Sequence, residues 1–114
     1  MIAVIFEAIP AEGQFDLYLD RAAKLKPELS KIEGFISIER FQSLNMPGKV
    51  LSLSFWKDEK AIEAWRNIEM HRHAQALGRA KVFSDYHLRI AQVVRNYTLN
   101  DRHEAPKDSK AVHG

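Results

Sequence analysis

The chain has 114 residues, of which 46% are hydrophobic and 28% are charged, and it contains no cysteine. This composition predicts one globular domain and excludes a disordered chain, a disulfide scaffold and a thiolate nucleophile. The formal charge of +2 gives no reason to expect a nucleic-acid partner. No apolar run approaches the ~20 residues of a membrane span. We expect a cytoplasmic protein.

The N-terminal half predicts a strand, a helix and a hairpin. Residues 2–9 are apolar, β-branched and followed by a proline, as in a short buried strand. Apolar residues at helical spacing predict a helix over 14–29 that bends at Pro27. Residues 35–44 and 50–56 read as strands on either side of a turn rich in Asn, Pro and Gly, which predicts a β-hairpin.

The C-terminal half predicts a second helix, a fourth strand and a polar tail. Asp58 is a suitable N-cap for a helix that ends at Gly78. Residues 86–97 alternate as a strand does. Residues 100–114 are polar and predict a flexible tail or an arm that orders on a dimer partner. The domain itself is therefore assigned to residues 1–99.

The order β-α-β-β-α-β predicts a ferredoxin-like α+β subunit, a four-stranded antiparallel sheet with both helices on one face. Its strands are apolar on both sides, so the other face would expose large apolar side chains to water. Such a face is unusual on a monomer. We therefore expect a homodimer in which two sheets pack together through this open face.

Several common enzyme motifs are missing from the sequence. There is no GxSxG, HExxH, GxGxxG or P-loop, so triad hydrolysis and nucleotide binding are not supported. His71 and His73 are two residues apart, which turns them by ~200° around a helix and points them to opposite sides. No metal site is therefore predicted.

Glu7 is a carboxylate within an otherwise apolar strand. It is either a general base in a pocket or, as we favour, half of a cross-strand ion pair. Its candidate partners are Arg40, Arg89 and Arg95.

Three aromatic residues could belong to a core or to a pocket. Trp65 falls on the apolar stripe of the second helix, as a core residue or as the wall of a cavity between helix and sheet. Trp56 closes the third strand and faces either a cavity or the dimer interface. Phe55, its neighbour, points to the other face and is a further pocket candidate.

Residues 34–43 (GFISIERFQS), 51–67 (LSLSFWKDEKAIEAWRN) and 71–97 (HRHAQALGRAKVFSDYHLRIAQVVRNY) together resemble the antibiotic biosynthesis monooxygenase domain family. The resemblance covers residues 1–97. It implies a dimeric α+β barrel built from two ferredoxin-like subunits, in agreement with the two-sided strands.

The resemblance also implies a function: a cofactor-independent monooxygenase that oxidises a small hydroxylated aromatic, of quinol or anthrone type, with dioxygen. Trp65 matches the family's helix tryptophan, and His71 stands where some members place a pocket residue. The expected catalytic residues are His71, Trp65 and Glu7. The expected substrate-binding residues are Arg72, Trp56 and Phe55.

Two alternatives stay open. One is a non-catalytic dimer of the same fold that binds a small molecule or serves a structural role. The other is a haem-binding or haem-degrading protein, for which the resemblance requires an asparagine on the first strand and a histidine nine or ten residues beyond the helix tryptophan. Glu7 stands at or near the first position, and Ala74 and Gln75 occupy the second. Haem is therefore disfavoured, and no cofactor or metal is expected.

Overall fold

The computed structural model describes residues 1–75 and 82–114, with the backbone alone considered for 68–75. Its elements in chain order are β1 (Ile2–Pro10), α1 (Phe15–Leu29), β2 (Phe35–Gln42), β3 (Val50–Trp56), α2 (Glu59–Gln75), β4 (Phe83–Gln92) and α3 (Lys107–His113). The strands form one open antiparallel sheet in the order β2-β3-β1-β4. This confirms the ferredoxin-like α+β subunit.

Helices α1 and α2 cover one face of the sheet. Within the described residues, neither of these two helices covers the other face. Leu29 of α1 and Ile62 of α2 both pack against Trp56 of β3. We call this side the helix face and the opposite side the open face. The buried helix-face residues of β3 are Val50, Ser52, Ser54 and Trp56. The half-buried open-face residues of the same strand are Leu51, Leu53 and Phe55.

The core centres on Trp56, whose side chain is 1% exposed. Phe35 meets its ring edge-on, with ring centroids 5.2 Å apart. The indole Nε1 donates a hydrogen bond of 2.9 Å to Ser54 Oγ, so the one polar atom of the ring is satisfied inside the core. The other buried members of this cluster are Leu29, Ala61 and Ile62.

Both long helices follow their local sequence signals. The backbone N–H of Ala61 donates to Asp58 Oδ1 at 3.0 Å, which confirms Asp58 as the cap of α2. The described part of α2 is continuous to Gln75, and the predicted end at Gly78 lies outside the described residues. Helix α1 continues past Pro27 as far as the buried Leu29. None of the described helices has the length and apolar composition of a membrane span.

The fourth strand begins and ends earlier than the alternation over 86–97 predicted. It begins at Phe83, whose ring packs edge-on against Phe6 at 5.5 Å and Tyr18 at 5.4 Å. It ends at Gln92, which pairs with Ile2, the first residue of its antiparallel partner β1. Alternation of apolar and polar residues indicates which side chains face a core. The bounds of a strand depend in addition on where a neighbouring strand is present to pair with it.

The segment after β4 folds on itself. Arg102 donates from Nε to the carbonyl of Gly114 at 3.0 Å and from its guanidinium to Ser109 Oγ, and its guanidinium carbon lies 5.0 Å above the Tyr97 ring. These contacts bring the short helix α3 back against residues 97–102. The division at residue 99 and the role of this segment as a tail or a dimer arm stay predictions.

We expect Gly34→Ala to destabilise the fold more than Gly48→Ala. Both glycines have positive φ, +92° and +85°, so an alanine at either position costs about 1–2 kcal/mol of backbone strain. A Cβ at Gly34 would also lie 2.9 Å from the Cβ of Ala61, whereas a Cβ at Gly48 meets nothing within 4 Å. Urea denaturation of the two variants measures the difference. Equal losses of unfolding free energy would show that the contact with α2 relaxes without cost.

Candidate functional site

The residues predicted to form one site are divided between the two faces of the sheet. Trp56 lies in the core on the helix face, and the partly buried Trp65 packs against that core. Glu7 and Phe55 lie on the open face, since Glu7 pairs with Leu51 and Phe55 with Ala3 in the β1–β3 register. The described residues therefore bring Trp65 and Trp56 together, and they separate both from Glu7 and Phe55.

The position of Trp56 corrects one of its two predicted roles. Its ring is enclosed by the helix-side core and so does not face a dimer interface on the open side. A substrate would reach this ring only if the core opened. Its role in substrate binding stays a prediction.

His71 and Arg72 lie on the helix side as far as the backbone defines them. Both belong to α2, within two turns after Trp65. The chain leaves β3 at the Trp56 end of the sheet and re-enters it at Phe83, beside Pro10 at the other end. Helix α2 therefore carries both residues away from Trp56, while their side chains lie outside the described residues.

Arg40 is a polar residue of the helix face. It pairs in register with the buried Ser52, two positions from Ile38, which packs against the core. Its Nε is buried and has no hydrogen-bond partner among the described residues. Arg40 is thus not the predicted partner of Glu7, because it points to the opposite face. The alternation with Ile38 is the sequence signal that could have placed it there.

Glu7 forms a charged cluster on the open face with one predicted and one unforeseen partner. Its Oε2 lies 3.4 Å from Arg89 Nη1 and 3.5 Å from Lys49 Nζ. The ion pair with Arg89 was predicted across the neighbouring strand. Lys49 stands at the end of the β2–β3 turn, one residue before β3, and strand alternation alone does not extend to a turn residue.

The two cations change the acidity of Glu7. The positive charge of Lys49 lowers the pKa of this carboxyl below its ordinary value of 4.5, partial burial opposes that shift, and Arg89 lowers the pKa further. A carboxylate held ionised in this way is a weaker proton acceptor than a free one. The geometry therefore supports the ion-pair interpretation over the general-base interpretation.

An open groove of about 230 Å³ adjoins this cluster. Its walls are partly apolar and partly charged. The lining residues are Glu7, Phe41, Gln42, Ser43, Lys49 and Leu51. Among the described residues no group of three His, Asp or Glu side chains could hold a metal ion.

We expect Glu7→Gln to flatten the acid limb of the stability profile. Because the folded-state pKa of Glu7 is lowered, its ion pairs stabilise the fold above pH 4.5, and this contribution disappears as the pH falls through the lowered pKa. The variant lacks this contribution, so its unfolding free energy should depend less on pH below 4.5. Denaturation at several pH values tests this, with Glu12→Gln in the exposed β1–α1 turn as the control. Identical profiles for Glu7→Gln and the unmodified chain would contradict the interpretation.

Comparison with known proteins places the fold in a family. The profile of the family described as "Antibiotic biosynthesis monooxygenase" matches residues 1–77. A protein named jasmonate monooxygenase from the fungus Pyricularia oryzae is 50% identical over 101 residues, which are 89% of this chain and 47% of that protein. The chain thus spans about half the length of this relative.

Two more distant likenesses agree with this assignment. The uncharacterised protein YqjZ of Bacillus subtilis is 28% identical over 93 residues, covering 82% of this chain and 79% of its own length. The haem degrader MhuD of Mycobacterium tuberculosis, solved with two haems bound, superimposes with a TM-score of 0.64 over 86% of this chain and 100% of its own. At 17% identity that likeness concerns the fold alone. The family profile, which matches more than half of the chain, shows that the chain belongs to the antibiotic biosynthesis monooxygenase family.

Proposed function

We propose that the chain is a monooxygenase that oxidises a small hydroxylated aromatic with dioxygen and without a cofactor. The observation that carries the reaction class is the 50% identity over 101 residues to a protein named as a monooxygenase. The substrate class and the independence from cofactors are our extension. They rest on the residues of the helix side and on the chemistry of electron-rich rings.

The proposed reaction needs no external reductant. A hydroquinone deprotonates, transfers electrons to dioxygen and takes up one oxygen atom, while the other oxygen leaves as water. For benzene-1,4-diol the balance is C₆H₆O₂ + O₂ → C₆H₄O₃ + H₂O, so the ring itself supplies every electron that reduces dioxygen. The protein has to exclude water, accept a proton and stabilise negative charge.

The proposed roles extend the resemblance to the family, and their three residues all belong to helix α2. Trp65 packs on the substrate ring, His71 accepts the phenolic proton, and Arg72 stabilises the phenolate. Arg40 supports this proposal because its buried Nε, unpaired in the described part of the chain, is a donor on the same face. Its permanent positive charge suits an anion formed during the reaction.

The name of the fungal relative favours a second candidate substrate, jasmonate. Jasmonate is an aliphatic keto acid without a phenolic hydroxyl, so it has no phenolate that could reduce dioxygen. Its oxygenation would require an added reductant. Dependence on a reductant therefore separates the two substrate classes.

We also propose that two copies associate through the open face. The support comes from the apolar side chains there, since Leu53 pairs with Ile5 and Phe55 with Ala3 in the middle of the sheet. Leu53, Ile5 and Phe55 are only half-buried in the single chain. A second sheet packed on this face would complete their burial and close the barrel that one open sheet leaves unfinished.

Oxygen consumption by metal-stripped protein should depend on the helix-side residues. With anthrones, naphthols and hydroquinones as substrates, we expect His71→Ala to lower the rate by about tenfold or more, since a positioned base contributes on that scale. Trp65→Phe should lower it as well. His103→Ala, on the exposed C-terminal segment, is the matched control.

The same measurement, repeated with jasmonate and with a reductant, separates the alternatives. Uptake only with jasmonate and a reductant would favour the second substrate. Uptake only after haem is added would overturn cofactor independence. No uptake on any compound, with the protein folded, would favour the non-catalytic interpretation.

A charge in the middle of the open face should prevent association. We expect Leu53→Glu to convert a dimer into a folded monomer, because a dry interface does not accept an unpaired carboxylate. Leu44→Glu, at a fully exposed turn position, should leave the dimer intact. Size-exclusion chromatography coupled to light scattering measures the molar mass of both variants. If the unmodified chain elutes as a monomer, association through this face is wrong.

A further inference from the structure

We propose that Arg40 binds a carboxylate carried by the substrate, so that the preferred substrate is a hydroxylated aromatic acid rather than a neutral phenol. The inference rests on the proposed oxygenation at the helix side and narrows its substrate class. Three observations carry it: the isolation of the Arg40 charge, an unpaired donor on its side chain, and an aromatic surface in the same row of the sheet.

Arg40 is the one charged side chain that the four strands, all of them described, place on the helix face. Its register partner is Ser52, and its neighbours on this face along β2 are Ile38 and Gln42. The other charged residues of the strands, and their one histidine, point to the open face. They are Glu7, Glu39, Asp85, His87 and Arg89. No carboxylate of the sheet therefore shares a face with Arg40.

The helices that cover this face supply no described partner for Arg40 either. The residues of α1 that are buried carry no charge. They are Tyr18, Ala22 and Leu29. Glu28 is the half-buried acid of α1, and none of the described ion pairs joins it to Arg40. The acids of α2 whose side chains the structure describes, Glu59 and Glu63, are exposed. The positive charge of Arg40 is thus available to an anion from outside the chain.

The Arg40 side chain has a donor that its surroundings do not satisfy. Its Nε is buried and has no hydrogen-bond partner among the described residues. A buried donor without a partner costs free energy, and more so when it belongs to a charged group. A carboxylate removes this cost, because it accepts two parallel N–H bonds from a guanidinium. Ser52, opposite Arg40 on β3, adds a buried hydroxyl beside it.

The strand register continues from Arg40 to an aromatic surface. Ser52 pairs with Arg40 on one side and with Phe6 on the other, and Phe6 in turn pairs with a residue of β4, Leu88. These residues form one row across the helix face, with neighbouring strands ~4.8 Å apart. Phe6 is half-buried and Leu88 is 50% exposed. An acid held between Arg40 and Ser52 can therefore pack its ring over Phe6.

A carboxylate suits Arg40 better than a phenolate does. The proposed reaction already assigns the phenolate to Arg72. A phenolate presents one oxygen, whereas the planar fork of a guanidinium matches the two oxygens of a carboxylate. A carboxylate is also ionised before the reaction as well as during it, so this contact strengthens substrate binding rather than the chemical step. Arg40 is thus a specificity-determining residue.

Anaerobic calorimetry with 2,5-dihydroxybenzoate and its uncharged amide tests the proposal without turnover. The two compounds share the ring and both hydroxyls and differ in charge. We expect the acid to bind about tenfold more tightly than the amide, or better. Arg40→Gln should remove most of this preference by weakening binding of the acid, while the affinity for the amide stays within about twofold. Arg95→Gln, at an exposed position after β4, is the matched control.

A second variant separates the charge from the fork. Arg40→Lys keeps the positive charge and lacks the planar pair of donors, so it should retain part of the preference for the acid. The affinity for the amide shows in each variant that the site is still formed. The proposal is overturned if the acid and the amide bind equally, if neither binds to the folded protein, or if Arg95→Gln acts as Arg40→Gln does.

Oxygen consumption with benzene-1,4-diol, which carries no carboxylate, tests the oxygenation separately. Uptake with this compound, without any preference for the acid, would leave the oxygenation standing and contradict the role of Arg40. A preference for the acid that depends on Arg40, without oxygen uptake on any compound, would support the carboxylate site and contradict the oxygenation.

Discussion

The burial of Trp56 on one side of the sheet determines where every other residue of β3 and its partner strands can point. Its indole is closed in by Phe35, Leu29 and Ile62, and its Nε1 is bonded to Ser54 within the same face. A side-chain period of two then sends Phe55, Leu53 and Leu51 to the other side. Residues that pair across two neighbouring strands share a face of the sheet. The position of the Trp56 ring therefore places Glu7 on the open face and Arg40 on the helix face.

This division gives the two faces different chemistry. The helix face combines a dense apolar core with a few buried polar atoms, among them Arg40 Nε and the hydroxyl of Ser52. A dry setting with sparse donors suits the stabilisation of charge that develops on a substrate. The open face combines half-buried apolar side chains with the charges of Glu7, Lys49 and Arg89 at one end. Half-buried apolar side chains of this kind suit association with a second sheet.

Much of this architecture could be predicted from the sequence, because periodicity reports burial directly. The strand β3, the Asp58 cap, the order of the first six elements and an ion pair between Glu7 and an arginine across the sheet all follow from local patterns, although the sequence left Arg40, Arg89 and Arg95 open as the partner. The bounds of β4 could not be predicted, because they depend on where β1 supplies a partner strand. The contact of Lys49 with Glu7 could not be predicted either, because it depends on the geometry of the turn between β2 and β3.

The candidate site was the hardest feature to predict, because it depends on how separate elements pack against each face of the sheet. Trp56 and Phe55 are adjacent in sequence and both aromatic, yet one strand places them on opposite sides of a sheet. Alternation within β3 already predicts this separation, whereas the depth of Trp56 in the core depends on how α1 and α2 pack over it.

One irregularity of β2 has a consequence for how this fold can vary. The register shifts between Phe35 and Ser37, so Phe35 and Ile38 both reach the core although strict alternation would separate them. The residue between them, Ile36, is 52% exposed. Removing this one residue would place Phe35 and Ile38 two positions apart, so simple alternation would then keep both of them on the helix face. A single deletion within residues 37–42, where the pairing is one-to-one, would instead turn every residue on one side of it to the other face. The strand can therefore lose a residue at the bulge more easily than in its regular part.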